Sequence, residues 1–337
     1  MASEVMEQLN LDKQDFSYFQ SKAEEIQRDC SDFITVRAKS PEVRYQSSGF
    51  LTYLDDNGEL HNSLMSTYSR SQLCNKLGVS SAYINKCIDN GMLDLVSLNI
   101  NSWMDEYNAP FFIREYKGTV RGVLTPKYSV CDTKDILDVV SDSIPVDNYR
   151  VKGYFLNEEF TNIRMVSKER LHVENEDLYP GFSLVTSDVG RSILSLKFFV
   201  WKKVCTNGLI VPKQIGDLYT QKHVGLDKKE FHEELVASFK TYKRVMTEVE
   251  ARIMGAKSAT LKDAFKDEDS LTSLINSVRA KVLVSEESAK KIVYLMQNGT
   301  YEKNRFGLIN SITQIAQDFS LDKRLDMERI AGNMLVA

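Results

Sequence analysis

The spacing of apolar positions changes twice along the chain. In the first 30 residues, apolar side chains such as Leu11 and Phe16 recur three to five positions apart, which predicts a helix. Over residues 33–65, apolar runs are separated by turn residues, and Asp55-Asp56-Asn57-Gly58 between two of these runs predicts a β-hairpin. Helical spacing then returns over residues 70–105.

The middle of the chain, about residues 109–224, has the two-residue alternation that is typical of strands. Lys117-Gly118 separates two apolar runs and predicts a second hairpin. A helix is predicted at about residues 133–142, with Thr133 as its N-cap. The other extended runs cover residues 149–157, 160–173, 181–188 and 192–204.

Beyond Leu226 the spacing is helical to the end of the sequence. Leu235, Val245 and Ile253 mark one long predicted helix, and shorter helices follow it. Helices, then mainly antiparallel strands, then helices again predict an α+β fold. The predicted regions are residues 1–108 with helices and short hairpins, 109–225 with the antiparallel sheet, and 226–337 with the C-terminal helices.

The most informative segment is the strand-like run from Arg191 to Lys203. Read with a period of two, one side of this run is apolar and the other mixes aromatic and basic residues. The apolar side consists of Leu194, Leu196, Phe198 and Val200. The mixed side consists of Ser195, Lys197, Phe199, Trp201 and Lys203. Such a face suits single-stranded nucleic acid, because bases stack on the rings while the lysines neutralise phosphates.

The surroundings of this run are basic, although 43 Lys and Arg against 47 Asp and Glu give the protein a formal net charge of −4. Between Gly190 and His223 there are six basic residues and one acid, Asp217. We therefore expect a face that binds single-stranded nucleic acid, DNA rather than RNA. Its predicted contacts are Arg121, Lys127, Arg191, Lys197, Phe199, Trp201 and Lys203. The alternative is that Phe199 and Trp201 pack beneath the C-terminal helices, which leaves the lysines as a solvated rim.

Residues 71–88 form a second candidate, because Leu77-Gly78-Val79-Ser80 separates two helical stretches like the turn of a helix-turn-helix. The outer side of the second stretch carries Ser81, Asn85 and Lys86. A DNA-reading role needs this stretch exposed. A plain α-hairpin is the favoured alternative, since Cys87-Ile88 and Met92-Leu93 have the pattern of buried residues.

Known catalytic and metal-binding motifs give no support for an enzyme. Cys205 with the downstream His223 is one conceivable nucleophile pair, but Cys205 follows an apolar strand and Asn207-Gly208 is typical of a tight turn. The sequence contains no phosphate-binding glycine loop. The four histidines and five cysteines lack the spacing of zinc sites, and the odd number of cysteines favours reduced thiols. We expect no cofactor and no metal.

Six segments, taken together, resemble a known family. They are residues 93–103, 120–128, 187–192, 194–196, 204–209 and 305–318, and the most specific is Val204-Cys205-Thr206-Asn207-Gly208-Leu209. In order and spacing they are similar to phage- and plasmid-borne proteins that carry domain of unknown function 932. The chain departs from that family at Pro126 and Lys127, which replace an acid and an arginine, and at Phe306, which replaces a tryptophan.

The resemblance implies a viral origin and a nucleic-acid role near replication or recombination, with no catalytic residues to transfer. We therefore expect a non-enzymatic phage protein in the host cytoplasm, with a phage or host replication or transcription protein as a further partner. Homo-oligomerisation through the helical region stays open. No apolar run approaches the roughly 20 residues that span a bilayer, so no membrane partner is expected. The alternative function is a protein-interaction module that modulates a host or phage enzyme through an apolar groove beside the C-terminal helices.

Overall fold

The structure is a computed structural model of the chain. It describes residues 16–35, 43–202, 207–212, 215–216, 219–223, 225 and 227–336. Across these residues the chain forms eleven helices and two mainly antiparallel sheets, which confirms the α+β class. In the same residues, no helix combines the length and apolar character needed to cross a bilayer.

The first sheet has six strands and packs against three helices. Its strands are β1 (Cys30–Ile34), β2 (Val43–Tyr45), β3 (Phe50–Leu54), β4 (Leu60–Met65), β5 (Phe112–Tyr116) and β6 (Thr119–Leu124). Their order in the sheet is β1-β5-β6-β4-β3-β2, and every neighbouring pair is antiparallel except β4 with β6. The helices are α2 (Thr67–Lys76), α3 (Ser81–Asp89) and α4 (Leu93–Glu106).

Both predicted hairpins are confirmed, and each joins two strands of this first sheet. Lys117 and Gly118 both have positive φ angles of 48° and 71°, as a tight two-residue hairpin turn requires. Because β6 pairs with β4 as well as with β5, the second hairpin belongs to the N-terminal sheet. The first sheet therefore includes residues 112–124, which the sequence pattern assigns to the central region.

The second sheet is formed by the central region. Its strands are β7 (Tyr149–Leu156), β8 (Thr161–Ser167), β9 (Leu178–Thr186), β10 (Leu194–Lys202), β11 (Asn207–Ile210) and β12 (Tyr219–Gln221). The order is β11-β10-β9-β8-β7, all antiparallel, and β12 also pairs with β10. The predicted apolar side of β10 is confirmed as a core face, since Leu194, Leu196, Phe198 and Val200 are buried in the larger of the two main cores.

The remaining helices build that larger core or cover it. They are α1 (Phe16–Arg28), α5 (Thr133–Ser143), α6 (Lys228–Phe239), α7 (Tyr242–Ser258), α8 (Glu268–Val282), α9 (Glu286–Gln297), α10 (Arg305–Ile315) and α11 (Leu321–Asn333). The prediction of one long helix over residues 235–253 is wrong. The backbone N–H and the hydroxyl of Thr241 both donate to the Ser238 carbonyl and end α6 there.

Helix α5 also begins differently from the prediction. Its N-cap is Asp132, and Thr133 is the first helical residue. The Asp135 carboxylate accepts the Asp132 backbone N–H, which satisfies one of the N–H groups that a helix start leaves free. Thr133 instead directs both its backbone N–H and its hydroxyl to the Asp188 carboxylate, at 2.8 Å each. This contact ties the start of α5 to the loop between β9 and β10.

Candidate nucleic-acid interface

Strand β10 places the predicted mixed residues on the outer face of the second sheet, opposite the core. Lys197, Phe199 and Trp201 alternate with buried apolar residues, as the period of two predicts. Their exposure differs: Lys197 and Trp201 are partly buried, whereas Phe199 is 0% exposed. Lys203 lies outside the described residues.

Phe199 is enclosed on two sides. Its ring lies against Gly208 of β11, so closely that a Cβ atom at Gly208 would overlap the ring. The Arg164 guanidinium of β8 lies over the same ring, 5.1 Å from its centroid. A base has no access to Phe199 in this arrangement, which for this residue corrects the expected stacking role and matches the packing alternative.

Trp201 has a different environment. It pairs across the sheet with Tyr179 of β9, and the two ring centroids are 5.9 Å apart with an interplanar angle of 52°. The Lys152 ammonium of β7 lies 5.3 Å from the Trp201 centroid. We call the partly buried residues Lys152, Tyr179, Lys197 and Trp201 the aromatic strip. It combines two accessible rings with two ammonium groups on one sheet face, which suits a stacked base and its phosphates.

Helix α11 covers the part of this face that lies around Phe199. The Arg164 guanidinium makes a two-pronged ion pair with the Glu328 carboxylate, with N–O distances of 2.9 and 2.5 Å. Arg324, one turn before Glu328 on α11, donates to the same carboxylate at 3.1 Å. Leu321 at the start of α11 packs with Phe160. The predicted face is therefore partly a buried interface and partly an open strip.

Three predicted phosphate contacts lie elsewhere, around the loops between the two sheets. Arg121 is 1% exposed and donates to the Glu158 carbonyl at 2.5 Å. It lies on β6, an inner strand of the first sheet, and its side chain contacts the loop between β7 and β8. This burial corrects its predicted role as a phosphate contact. Arg191 is 3.9 Å from both Glu159 and Asp322 in ion pairs. Lys127 is exposed in the segment between β6 and α5.

A buried charge network that the sequence did not predict joins the two sheets. Arg114 of β5 pairs with Asp32 at 2.8 Å and with Asp132 at 2.7 Å, and also donates to the Asp188 carbonyl at 2.6 Å. Burial alone would lower the pKa of Arg114, but the Asp132 and Asp32 carboxylates raise it. Burial, helped by the charge of Asp132, raises the pKa of Asp188 to about 6. The signal in the sequence was a charged pair, Arg114-Glu115, inside an apolar run.

His223 lies beside this network. Its ring stacks on Tyr128 with centroids 5.5 Å apart, and its Nε2 is 3.3 Å from the Thr186 hydroxyl. Burial lowers the pKa of His223 to about 4, so the ring is neutral near pH 7. Cys205, its conceivable catalytic partner, lies outside the described residues. The four cysteines that the structure describes, Cys30, Cys74, Cys87 and Cys131, are free thiols.

Helices α2 and α3 form the predicted pair at residues 71–88, and both of its interpretations stay predictions. Ser80 caps α3 by accepting the Tyr83 backbone N–H at 3.3 Å. The expectation that Met92 and Leu93 are buried is wrong, since they are 51% and 42% exposed. Helix α4 begins at Leu93 and buries a different set of residues, Val96, Ile100 and Met104. Its outer side carries the exposed apolar residues Leu95, Leu98 and Trp103.

One group of side chains has atoms close enough to hold a metal ion among the described residues. Asp55, Glu59 and His61 each place one potential ligand atom within 4.8 Å of the others. The Asp55 carboxylate is 3.1 Å from His61 Nε2 and accepts hydrogen bonds from the backbone N–H groups of Asn57 and Glu59. These contacts lower the pKa of Asp55, and the hydrogen bond from Glu59 has the largest effect. Hydrogen bonds within the hairpin turn account for this arrangement.

No family model, no curated protein and no solved structure matches this chain. The resemblance to proteins with domain of unknown function 932 therefore stays a prediction.

Proposed function

We propose that the protein binds single-stranded nucleic acid, DNA rather than RNA, at the aromatic strip. The observation that carries this proposal is the accessible Tyr179–Trp201 pair with the Lys152 ammonium over the tryptophan ring. Lys197 adds a second cation on the same strand as Trp201. Aromatic faces accept any base, so this arrangement favours binding with little sequence preference.

The size of the strip sets the expected strength of binding. Two rings offer room for one or two stacked bases, each worth about 1–3 kcal/mol. Two lysines that neutralise two phosphates predict a slope of about −1.4 when the logarithm of the binding constant is plotted against the logarithm of salt concentration. Binding is therefore expected to be moderate and to weaken as salt rises.

The family resemblance supplies the biological setting of the proposal. It favours a phage or plasmid protein that acts in the host cytoplasm in replication, recombination or transcription, with proteins of those processes as partners. In that setting, single strands are exposed transiently, and a sequence-tolerant site with moderate affinity suits their capture and release.

The test is fluorescence anisotropy with labelled single-stranded and duplex DNA and RNA oligonucleotides at two salt concentrations. Trp201→Ala should weaken single-strand binding by about 5- to 150-fold, the equivalent of one lost stacking contact. Trp103→Ala is the matched control, because Trp103 is the other of the two tryptophans and lies exposed on α4, in the first sheet's layer.

Equal binding by wild type and Trp201→Ala would contradict the site. No binding by any of the proteins at low salt would reject the function. That result would favour the alternative function, a protein-interaction module. The exposed apolar residues Leu95, Leu98 and Trp103 on α4 are the observation that supports this alternative.

A further inference from the structure

The covered part of the outer face holds more positive than negative charge. Arg164 and Arg324 both bind the Glu328 carboxylate, and all three side chains are at most 8% exposed. Burial lowers the pKa of Arg324, and the neighbouring charge of Arg164 lowers it further. Two guanidinium groups, one from β8 and one from α11, thus share one carboxylate of α11. A second anion would balance the charge of this cluster.

The polar groups beside this cluster point to the same kind of ligand. Both amide atoms of Asn162, the Ser183 hydroxyl and the Arg164 Nε are buried without a hydrogen-bond partner. Buried polar groups are normally paired, so four such atoms on one sheet face need an explanation. The strand register places Arg164 opposite Ser183, and Ser183 opposite Lys197. A row of cation, hydroxyl and cation therefore crosses three strands, and such donors suit phosphate oxygens.

We infer that α11 is an autoinhibitory lid on this face, in which the Glu328 carboxylate takes the place of a backbone phosphate. The inference rests on the proposed function and extends the binding site from the aromatic strip to Arg164 and Ser183. When a single strand binds, its phosphate replaces Glu328 on Arg164 and α11 moves away.

The closed position of α11 has its own anchors. Met327 and Ala331 are fully buried in the larger core, and Gly332 lies so close to the Ile210 carbonyl that a Cβ atom would overlap it. These contacts make the closed state the resting one. Only the open state offers the full site. The apparent affinity is therefore the affinity of the open state multiplied by the small fraction of molecules that are open. Weakening the Glu328 contact should therefore strengthen binding.

The test compares two substitutions that each remove one negative charge from α11. Glu328→Gln removes the buried carboxylate, whereas Asp326→Asn removes an exposed one that pairs with Arg329. With a labelled oligothymidylate as probe, Glu328→Gln should tighten binding by about fivefold or more. Asp326→Asn should change it by less than about twofold, the effect of a distant surface charge.

Hydrogen exchange of the wild-type protein gives a second, independent readout if Glu328→Gln does not fold. Adding the oligonucleotide should speed exchange of the α11 amides, residues 321–333, and slow exchange in β10. Unchanged or slower exchange in α11, or equal affinities of the two variants, would overturn the lid while wild-type binding still supported the proposed function. Absence of binding in all three proteins would overturn both.

Discussion

Phe199 and Trp201 lie two residues apart on the same side of β10, yet only Trp201 reaches solvent. The difference comes from their neighbours, since Gly208 leaves space for the Phe199 ring and Arg164 covers it. In the strand register Gly208 is opposite Trp201 and Ile210 is opposite Phe199, but the Trp201 ring contacts Tyr179. The role of a residue on this face thus depends on what covers it.

The burial of His223 leads to a prediction about pH. Its pKa is about 4 in the folded state and 6.5 when unfolded, so the unfolded state binds more protons between these values. The His223 contribution is fully present above pH 6.5 and is lost as pH falls towards 4. Between pH 7 and pH 5 the free energy of unfolding should fall by about 2 kcal/mol through this group.

Urea denaturation at pH 7 and pH 5 measures this effect. His223→Phe keeps a ring that can stack on Tyr128 and removes the titrating group. The variant should lose about 2 kcal/mol less than wild type over this interval. An identical loss in both proteins would show that His223 does not carry the effect.

At the level of elements, α4 shows how an amphipathic helix can keep apolar residues on two sides. Val96, Ile100 and Met104 are buried in the smaller core, while Leu95 and Leu98 face solvent. Local spacing correctly predicts the helix, but both sets of residues are apolar, so spacing alone does not tell which side is buried.

A pair of substitutions on α4 separates the two sides. Ile100 is 0% exposed, and Ile100→Ala should lower the free energy of unfolding by about 2–5 kcal/mol. Leu98 is 64% exposed, and Leu98→Ala should change it by less than about 0.5 kcal/mol. Chemical denaturation of the two variants checks this, and similar losses would mean that Leu98 is covered in solution.

At the candidate site, too, local spacing shows which residues share a face but not what covers that face. The alternation along β10 is a local pattern, so its core side and the mixed side with Trp201 could be predicted. The Arg164–Glu328 pair joins residues 164 positions apart, and no local spacing signals it. The contact of α11 with Arg164 therefore could not be predicted.

For the whole molecule, the central feature is that two cores meet at a buried charge network. The smaller core lies within the first sheet and its helices, and the larger one lies beneath the second sheet. Arg114 connects them, since it belongs to β5 and pairs with Asp132 at the start of α5. Such a pair stabilises the contact between sheets only while both charges are present.

Asp132→Ala tests this connection. It leaves the Arg114 charge with less compensation in a buried site, so the free energy of unfolding should fall by about 3–5 kcal/mol. Asp263→Ala is the control, because Asp263 forms an exposed ion pair with Lys266, and its loss should be below about 1 kcal/mol. Urea denaturation measures both. Equal, small losses would show that the network does not hold the sheets together.

The most direct test of the central claim is a fluorescence titration of Trp103→Phe with oligothymidylate at low salt. In this variant Trp201 is the remaining tryptophan, so its emission reports the aromatic strip alone. We expect saturable quenching that is reversed by added salt, because a base stacks on the ring while lysines hold the phosphates. Emission that stays constant over the whole titration would contradict binding at this face.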